Sequence, residues 1–304
     1  MAVPLLKIAY HPSYAHPLPE GHRFPMAKYE LIPAQLLHSG TVQPDNFFEP
    51  GLAGVETIMQ AHAADYCRQL LDVSLAPAMV RRIGFPLSAA LVARELRIVQ
   101  GTIEGCFFAM EYGVAFNVAG GTHHAGYDWG EGFCLLNDQA VAAAHLVNSG
   151  ICRQVLIIDL DVHQGNGTAQ IFEGDSRVFT FSMHGEHNFP FRKERSDRDV
   201  GLPDGTGDEV YLALLAQHLE ALFREVRPDF VFYQAGVDVL DTDKLGKLAL
   251  TKAGCLSRDE MVFSRCKSAN IPVQVSMGGG YSPHIRDIVD AHCRTFAAAI
   301  QCYD

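Results

Sequence analysis

Residues 157–168 read IIDLDVHQGNGT, an apolar run that stops in two aspartates and a histidine and passes into Gln-Gly-Asn-Gly. The longer stretch QVLIIDLDVH, 154–163, is rich in branched side chains and nearly continuously apolar. That is the pattern of a strand in a sheet covered on both faces. In an extended strand, residues two apart project to one side, so Asp159, Asp161 and His163 would align while Leu160 and Val162 pack into the core. Neighbouring buried carboxylates are costly unless a cation compensates them. Carboxylate oxygen and imidazole nitrogen suit zinc or a similar divalent ion, and three protein ligands leave a position for water. Asp238, closing YQAGVD, is the candidate third ligand. A hydrogen-bonded strand end and a turn-capping Asp238 stay open as the plainer reading, and GNGT is too weak a pattern for a phosphate loop.

Outward from this stretch, similar runs recur at 5–10, 114–121, 177–184, 228–236 and 272–280. Stretches with 3.6-residue periodicity lie between them at 88–112, 137–149, 208–226, 257–269 and 284–301, with Asn137, Asp208 and Ser257 as expected N-caps for three. Strands alternating with helices predict an α/β fold around a central parallel β-sheet flanked by helices. No composition shift, linker or repeat divides the chain, so residues 1–304 are read as one domain. The charged segment FRKERSDRD, 191–199, is expected to be a solvated loop.

Polar clusters fall where strands end: GGTHHA (120–125), DLDVH (159–163), QAGVD (234–238) and GGGY (278–281). In parallel α/β folds the C-terminal ends of the strands face one crevice, so these clusters would converge. The pair His123 and His124 would line the pocket, one ring holding a proton and the other removing one. Tyr281 follows three glycines that would let its hydroxyl approach a ligand. Taken singly, an ordinary loop and a packed aromatic explain these residues equally well. Taken together they are the parts of a metal-assisted amide hydrolase.

Composition narrows the classes. With 48% hydrophobic residues and a mean hydropathy of +0.04, the chain has the composition of a soluble globular protein. No apolar run reaches the roughly 18 residues of a membrane span, and MAVPLLKIAYHP is too quickly polar for a secretory signal. Eight cysteines without a CxxC pair point to a reduced, cytoplasmic setting. Lys and Arg number 24 against 35 Asp and Glu, a net charge of −11 that makes nucleic acid an improbable direct ligand.

GGTHHA, GFCLLND (132–138), DLDVHQGNGT, QAGVDVLDTDKLGKLALT and GGGY together resemble, in order and spacing, the zinc-dependent histone deacetylase family of the arginase/deacetylase fold. HQGNGT and DKLGKLALT look most like its class IV branch and bacterial relatives. The resemblance covers essentially the whole chain. It implies a single-domain, three-layer fold and a zinc held by Asp161, His163 and Asp238. His123 and His124 would be the catalytic histidines and Tyr281 the hydroxyl bonding the substrate carbonyl. Asp159 would orient His123. The partner of His124, often aspartate in class I, would be Asn166, leaving His124 less inclined to hold a proton. Phe133 and Phe189 would flank the acyl-lysine channel, the Gly132 carbonyl would accept the substrate amide proton, and Arg23 would stand at an internal cavity through which the released acid leaves. Family potassium sites would map to Asp159, Asp161, His163, Ser182 and Met183, and to Phe172, Asp175 and Val178.

The substrate expected is an acylated lysine of a protein or peptide. An acetylpolyamine or other small acylated amine on the same fold is the alternative, and the acidic net charge would suit it. A dimanganese hydrolase of the arginase kind would need a further acid two residues beyond His163, where Gly165 stands. A catalytically dead acyl-lysine reader would be expected to lack part of this motif, and every member is present.

Overall fold

The computed structural model describes residues 6–303; Leu5, the first residue of the run expected at 5–10, lies outside the described residues. The six apolar runs, with two further strands, β2 and β6, form one eight-stranded sheet: β1 (Lys7–Ala9), β2 (Phe47–Phe48), β3 (Val114–Asn117), β4 (Val155–Asp159), β5 (Val178–Gly185), β6 (Arg198–Leu202), β7 (Phe230–Gln234) and β8 (Val273–Ser276). Their order is β2-β1-β3-β8-β7-β4-β5-β6, and every pairing is parallel. Each residue of β3, β4, β7 and β8 is buried, as strands covered on both faces must be.

The cover is helical. Helices α1 (Lys28–His38), α2 (Val55–Ile58), α3 (Ala64–Leu71), α4 (Pro77–Ile83), α5 (Ala89–Tyr112), α6 (Asp138–Asn148), α7 (Asn166–Ile171), α8 (Asp208–Val226), α9 (Lys252–Ala269) and α10 (Ile285–Tyr303) follow in chain order. Helix α5 packs on α6 and α3, while α10 packs on α9 and α1, and α9 on α8. The three-layer α/β architecture expected from the alternation is the one observed.

Local expectations fared unevenly. Asn137 caps α6 by accepting from the Ala140 amide, as expected. Asp208 does not cap α8: it is the first helical residue, and its carboxylate accepts instead from the Thr251 amide and hydroxyl. Ser257 lies inside α9, which starts at Lys252 because the Thr251 hydroxyl accepts from the Gly254 amide. The charged segment is only partly a loop. Arg198 and Asp199 open β6, paired in parallel with Phe181 and Ser182 of β5, and Asp197 accepts from the Thr180 amide and hydroxyl.

Candidate active site

Parallel register places Asn117, Ser276, Gln234, Asp159 and Ser182 in one row across β3, β8, β7, β4 and β5. This polar row ends β3, β8, β7 and β4, and the chain leaves those four strands in the loops that carry the predicted residues, while β5 runs on beside β6 to Gly185. The expected strand-wise alignment of Asp159, Asp161 and His163 is corrected here. Strand β4 stops at Asp159, and the chain then folds back on itself. The Asp161 amide donates to Asp159 Oδ1 at 3.1 Å and the His163 amide to Asp161 Oδ1 at 3.0 Å. Side-chain capping of the amide two residues on is a habit of aspartate in turns. It sends Asp159 toward His123 and sends Asp161 and His163 toward Asp238.

His163 Nδ1 lies 3.0 Å from Asp161 Oδ1 and 3.1 Å from Asp238 Oδ2. One ligand atom from each of the three residues lies within 4.8 Å of the others, and all three are buried. Burial pushes the His163 imidazole down, but its hydrogen bonds to Asp161 and Asp238 carry it up to about 10. Burial and the Asp161 carboxylate raise Asp238 to about 7. Two buried carboxylates thus demand a positive charge between them, and the donor set of two oxygens and one imidazole nitrogen fits a zinc ion. Their outer oxygens are held by the main chain: Gly279 donates to Asp161 Oδ2 at 2.8 Å and Val162 to Asp238 Oδ1 at 3.0 Å. A Cβ at Gly279 would stand 1.9 Å from Asp238 Oδ2, so the close wrapping of this loop requires glycine.

Beside the triad, His123 Nδ1 bonds Asp159 Oδ2 at 2.6 Å, and His124 Nδ1 bonds Asn166 Oδ1 at 2.6 Å. The two rings stand 4.2 Å apart. Burial lowers His123, yet the Asp159 and Asp161 carboxylates outweigh it and raise the ring to about 9. Burial and the neighbouring His123 and His163 rings hold His124 well below the ordinary imidazole range. The two adjacent histidines are therefore pushed in opposite directions, His123 toward its protonated form and His124 toward its neutral form. Burial, with Asp238 and Asp161, keeps the Tyr281 hydroxyl well above the ordinary phenol range, so it remains a donor. The Tyr281 amide is anchored by Asp243 Oδ2 at 2.5 Å.

An open cavity of about 320 Å³ leads to this centre, lined by Phe133, Phe189, Gly132, His124, His163 and Tyr281. Phe189 meets the His124 ring edge-on at 5.0 Å. Arg23 is placed here too, exposed at the mouth with its guanidinium 5.0 Å from the Phe133 ring centre. The expected position at an internal cavity is therefore wrong for Arg23. The inner cavity is lined instead by Arg94, Tyr29 and Phe24, because Arg94 is held inside by the Tyr14 carbonyl and Glu95. Among the expected potassium ligands, Ser182 pairs in register with Asp159, and Phe172, Asp175 and Val178 share the turn between α7 and β5.

Sequence reading missed several residues around the site. Glu131 bonds Asn166 Nδ2 and Arg82 Nε, each at 2.6 Å, although in WGEGF it looks like a solvated loop acid. Buried Arg258 donates to the Leu160 and Gly236 carbonyls and pairs with Asp259, bracing both ligand loops from within α9. Fully buried Lys28 donates to the Gly278 carbonyl at 2.8 Å, and burial pushes its ammonium down to about 8. Periodicity marks Arg258 as an ordinary polar helix position, and Lys28 lies outside every stretch read as periodic. Only a three-dimensional arrangement exposes their partners.

Comparison with known proteins agrees with this geometry. The histone deacetylase domain pattern matches residues 22–296. An uncharacterized protein of Picosynechococcus sp. is 48% identical over 97% of this chain and 99% of its own length. Histone deacetylase 2 of Arabidopsis thaliana is 32% identical, covering 86% of this chain and 70% of its own. Human histone deacetylase 1 is 29% identical over 92% of this chain, which spans 61% of that longer protein. Among solved structures, an HDAC homolog complexed with SAHA superposes with a TM-score of 0.84 at 24% identity, covering 97% of this chain and 84% of the other. An HDAC homolog from Aquifex aeolicus gives 0.82 at 23% identity, with the same coverage. With the motifs, the parallel sheet and the family pattern in agreement, the chain belongs to the histone deacetylase family.

Proposed function

We propose that this chain is a zinc-dependent amidohydrolase that removes acyl groups from lysine side chains, its 304 residues forming one catalytic domain. The observation that carries the reading is the buried Asp161–His163–Asp238 group beside one histidine pushed toward its protonated form and one toward its neutral form, at the floor of an aromatic-walled cavity. Zinc in that group supplies a Lewis acid for the acyl carbonyl and makes water acidic enough to react near neutrality.

The remaining work falls to side chains. His124, neutral, takes a proton from the attacking water, and the protonated imidazole of the pair returns one to the departing lysine amine. His123, held charged by Asp159, offsets the negative charge that develops. The Tyr281 hydroxyl donates to the carbonyl oxygen as charge builds on it. The Gly132 carbonyl receives the substrate amide N–H, while Phe133 and Phe189 enclose the lysine stem and exclude water. Potassium is proposed at Asp159, Asp161, His163, Ser182 and Met183, and at Phe172, Asp175 and Val178, where it would stiffen the loops behind the site.

Several observations favour this reading over its competitors. The mouth carries Arg23, Arg82 and Lys247, which repel a polyamine more than a neutral acyl chain. A Cβ at Gly165 would stand 2.3 Å from Asp159 Oδ2, leaving no room for the additional acid of a dimanganese site. The resemblance of HQGNGT and DKLGKLALT to the class IV branch and bacterial relatives supports that branch, and eight free cysteines support a reducing, cytoplasmic setting. No described helix is long and apolar enough to cross a membrane.

The test is the zinc-loaded protein on one lysine peptide bearing acetyl, octanoyl or myristoyl groups, beside acetylated polyamines, with Asp161→Ala as control and products followed by mass spectrometry. Turnover of a peptide establishes a lysine deacylase and gives its chain length. Turnover of polyamines alone overturns the substrate assigned, and no turnover of any substrate overturns the activity.

A further inference from the structure

The chemistry proposed above leaves one buried carboxylate beside the site unused. Glu131 is 6% exposed and does not itself line the cavity. Its Oε2 accepts from Arg82 Nε and its Oε1 from Asn166 Nδ2, while Asn166 Oδ1 faces His124 Nδ1, each contact at 2.6 Å. The polarity of this row is fixed from its outer end. A guanidinium only donates and a carboxylate only accepts. Asn166 must therefore turn its NH2 toward Glu131 and its oxygen toward His124, which must carry its proton on Nδ1. Arg82 is itself held, its guanidinium 4.5 Å from the Trp129 ring centre at the rim.

We propose that Glu131 is a positioning residue: anchored by Arg82, it fixes the Asn166 amide and so keeps His124 in the tautomer whose Nε2 is free to accept a proton. This deepens the reading of His124 as general base and rests on it. An aspartate at 166 would fix the same tautomer but would also raise the basicity of the ring by direct charge. Here the neutral amide touches the imidazole and the charge stands one residue farther out. The tautomer is set without a full charge placed directly against the ring.

The experiment separates orientation from structure. In Glu131→Gln, Arg82 claims the amide oxygen of the new side chain, whose NH2 then faces Asn166. The Asn166 amide must invert and donate to His124 Nδ1, moving the ring proton to Nε2. Expected in the zinc-loaded protein are a loss of about 10- to 100-fold in kcat with KM changed less than about twofold, and an exchange of the protonated and bare nitrogen shifts of His124. The shifts are read by 15N NMR and assigned by their absence in His124→Ala. In Glu131→Gln/Arg82→Met the glutamine is free to accept from Asn166, and the Nδ1–H tautomer and several-fold of kcat are expected to return. A wild-type His124 protonated on Nε2 overturns the proposal without any variant, which covers the case of a variant that does not fold. Retention of Nδ1–H in Glu131→Gln, or equal kcat loss in the single and double variants, also overturns it. Because the tautomer is read without turnover, absence of deacylation would refute the proposed function separately.

Discussion

A methyl group at position 132 would stand 2.8 Å from His124 Cδ2, on a backbone with φ of +56°. Gly132→Ala therefore has to displace the His124 ring or the loop, and is expected to cost about 1–3 kcal/mol of stability together with at least a tenfold loss of kcat. Denaturant melts and steady-state kinetics check both, and wild-type values for this variant would refute the assigned contact. Tyr281→Phe should behave differently. It keeps the anchoring of its amide by Asp243 and the ring packing against Phe24, so stability should hold while kcat falls on the order of 10² to 10³. Full turnover by Tyr281→Phe would remove the hydroxyl from the reaction. At this scale the sequence was informative because strand ends and metal donors are local patterns. The convergence it leads one to expect of Asp161, His163, Asp238 and both histidines is present in the fold, though strand alternation stands there for what capping turns do at Asp159–His163. Arg23 failed because one position in a loop decides whether a guanidinium faces inward or outward, and no periodicity records that.

At the scale of elements, His62 shows how a loop is tied to a helix. Its Nδ1 donates to the Gly126 carbonyl, just beyond the histidine pair, and its Nε2 accepts the amide of Asn137, the cap of α6. Burial pushes this ring down to about 4, with the Gly126 carbonyl opposing only weakly. The unfolded chain, titrating near 6.5, binds the proton first as pH falls. The stability from neutral His62 is thus complete above about 6.5 and is lost progressively down to about 4, by up to about 3 kcal/mol. Urea midpoints between pH 7 and 4.5 should fall less steeply in His62→Gln; parallel profiles would show that His62 does not titrate this way. Long periodic helices such as α5 and α6 were legible, because amphipathic faces and caps such as Ser88 and Asn137 are written locally. Helices α1 to α4 and strands β2 and β6 were not, since each is stabilised by what it packs on or pairs with. The N-cap of α9 was misplaced because serine and threonine both suit that role and only the fold selects Thr251 over Ser257.

For the whole molecule, the candidate ligand triad joins the loop after β4 to the loop after its sheet neighbour β7, so a metal there would tie two strand ends together. Zinc at about 1,000 times its dissociation constant would add about 4 kcal/mol, and a chelator is expected to lower the Tm by at least about 5 °C. Calorimetry of the protein with and without chelator tests this, with Asp161→Ala showing no shift; an unchanged Tm in the wild-type protein would count against a metal in the triad. The α/β class and parallel sheet could be read from alternation alone, but the strand order could not, because pairing joins runs far apart in sequence. That order has a consequence for biosynthesis. Strand β8, the last in the chain, lies between β3 and β7. While the chain emerges from the ribosome, the edges of β3 and β7 have no neighbour until residues 273–276 arrive. The half-made sheet is two open-edged pieces, prone to pairing with other nascent chains, and Tyr281 follows only after the strand that joins them. A ribosome-bound intermediate stalled before β8 would carry all three candidate metal ligands and no finished site, so the site is completed only once residues 273–281 have been made.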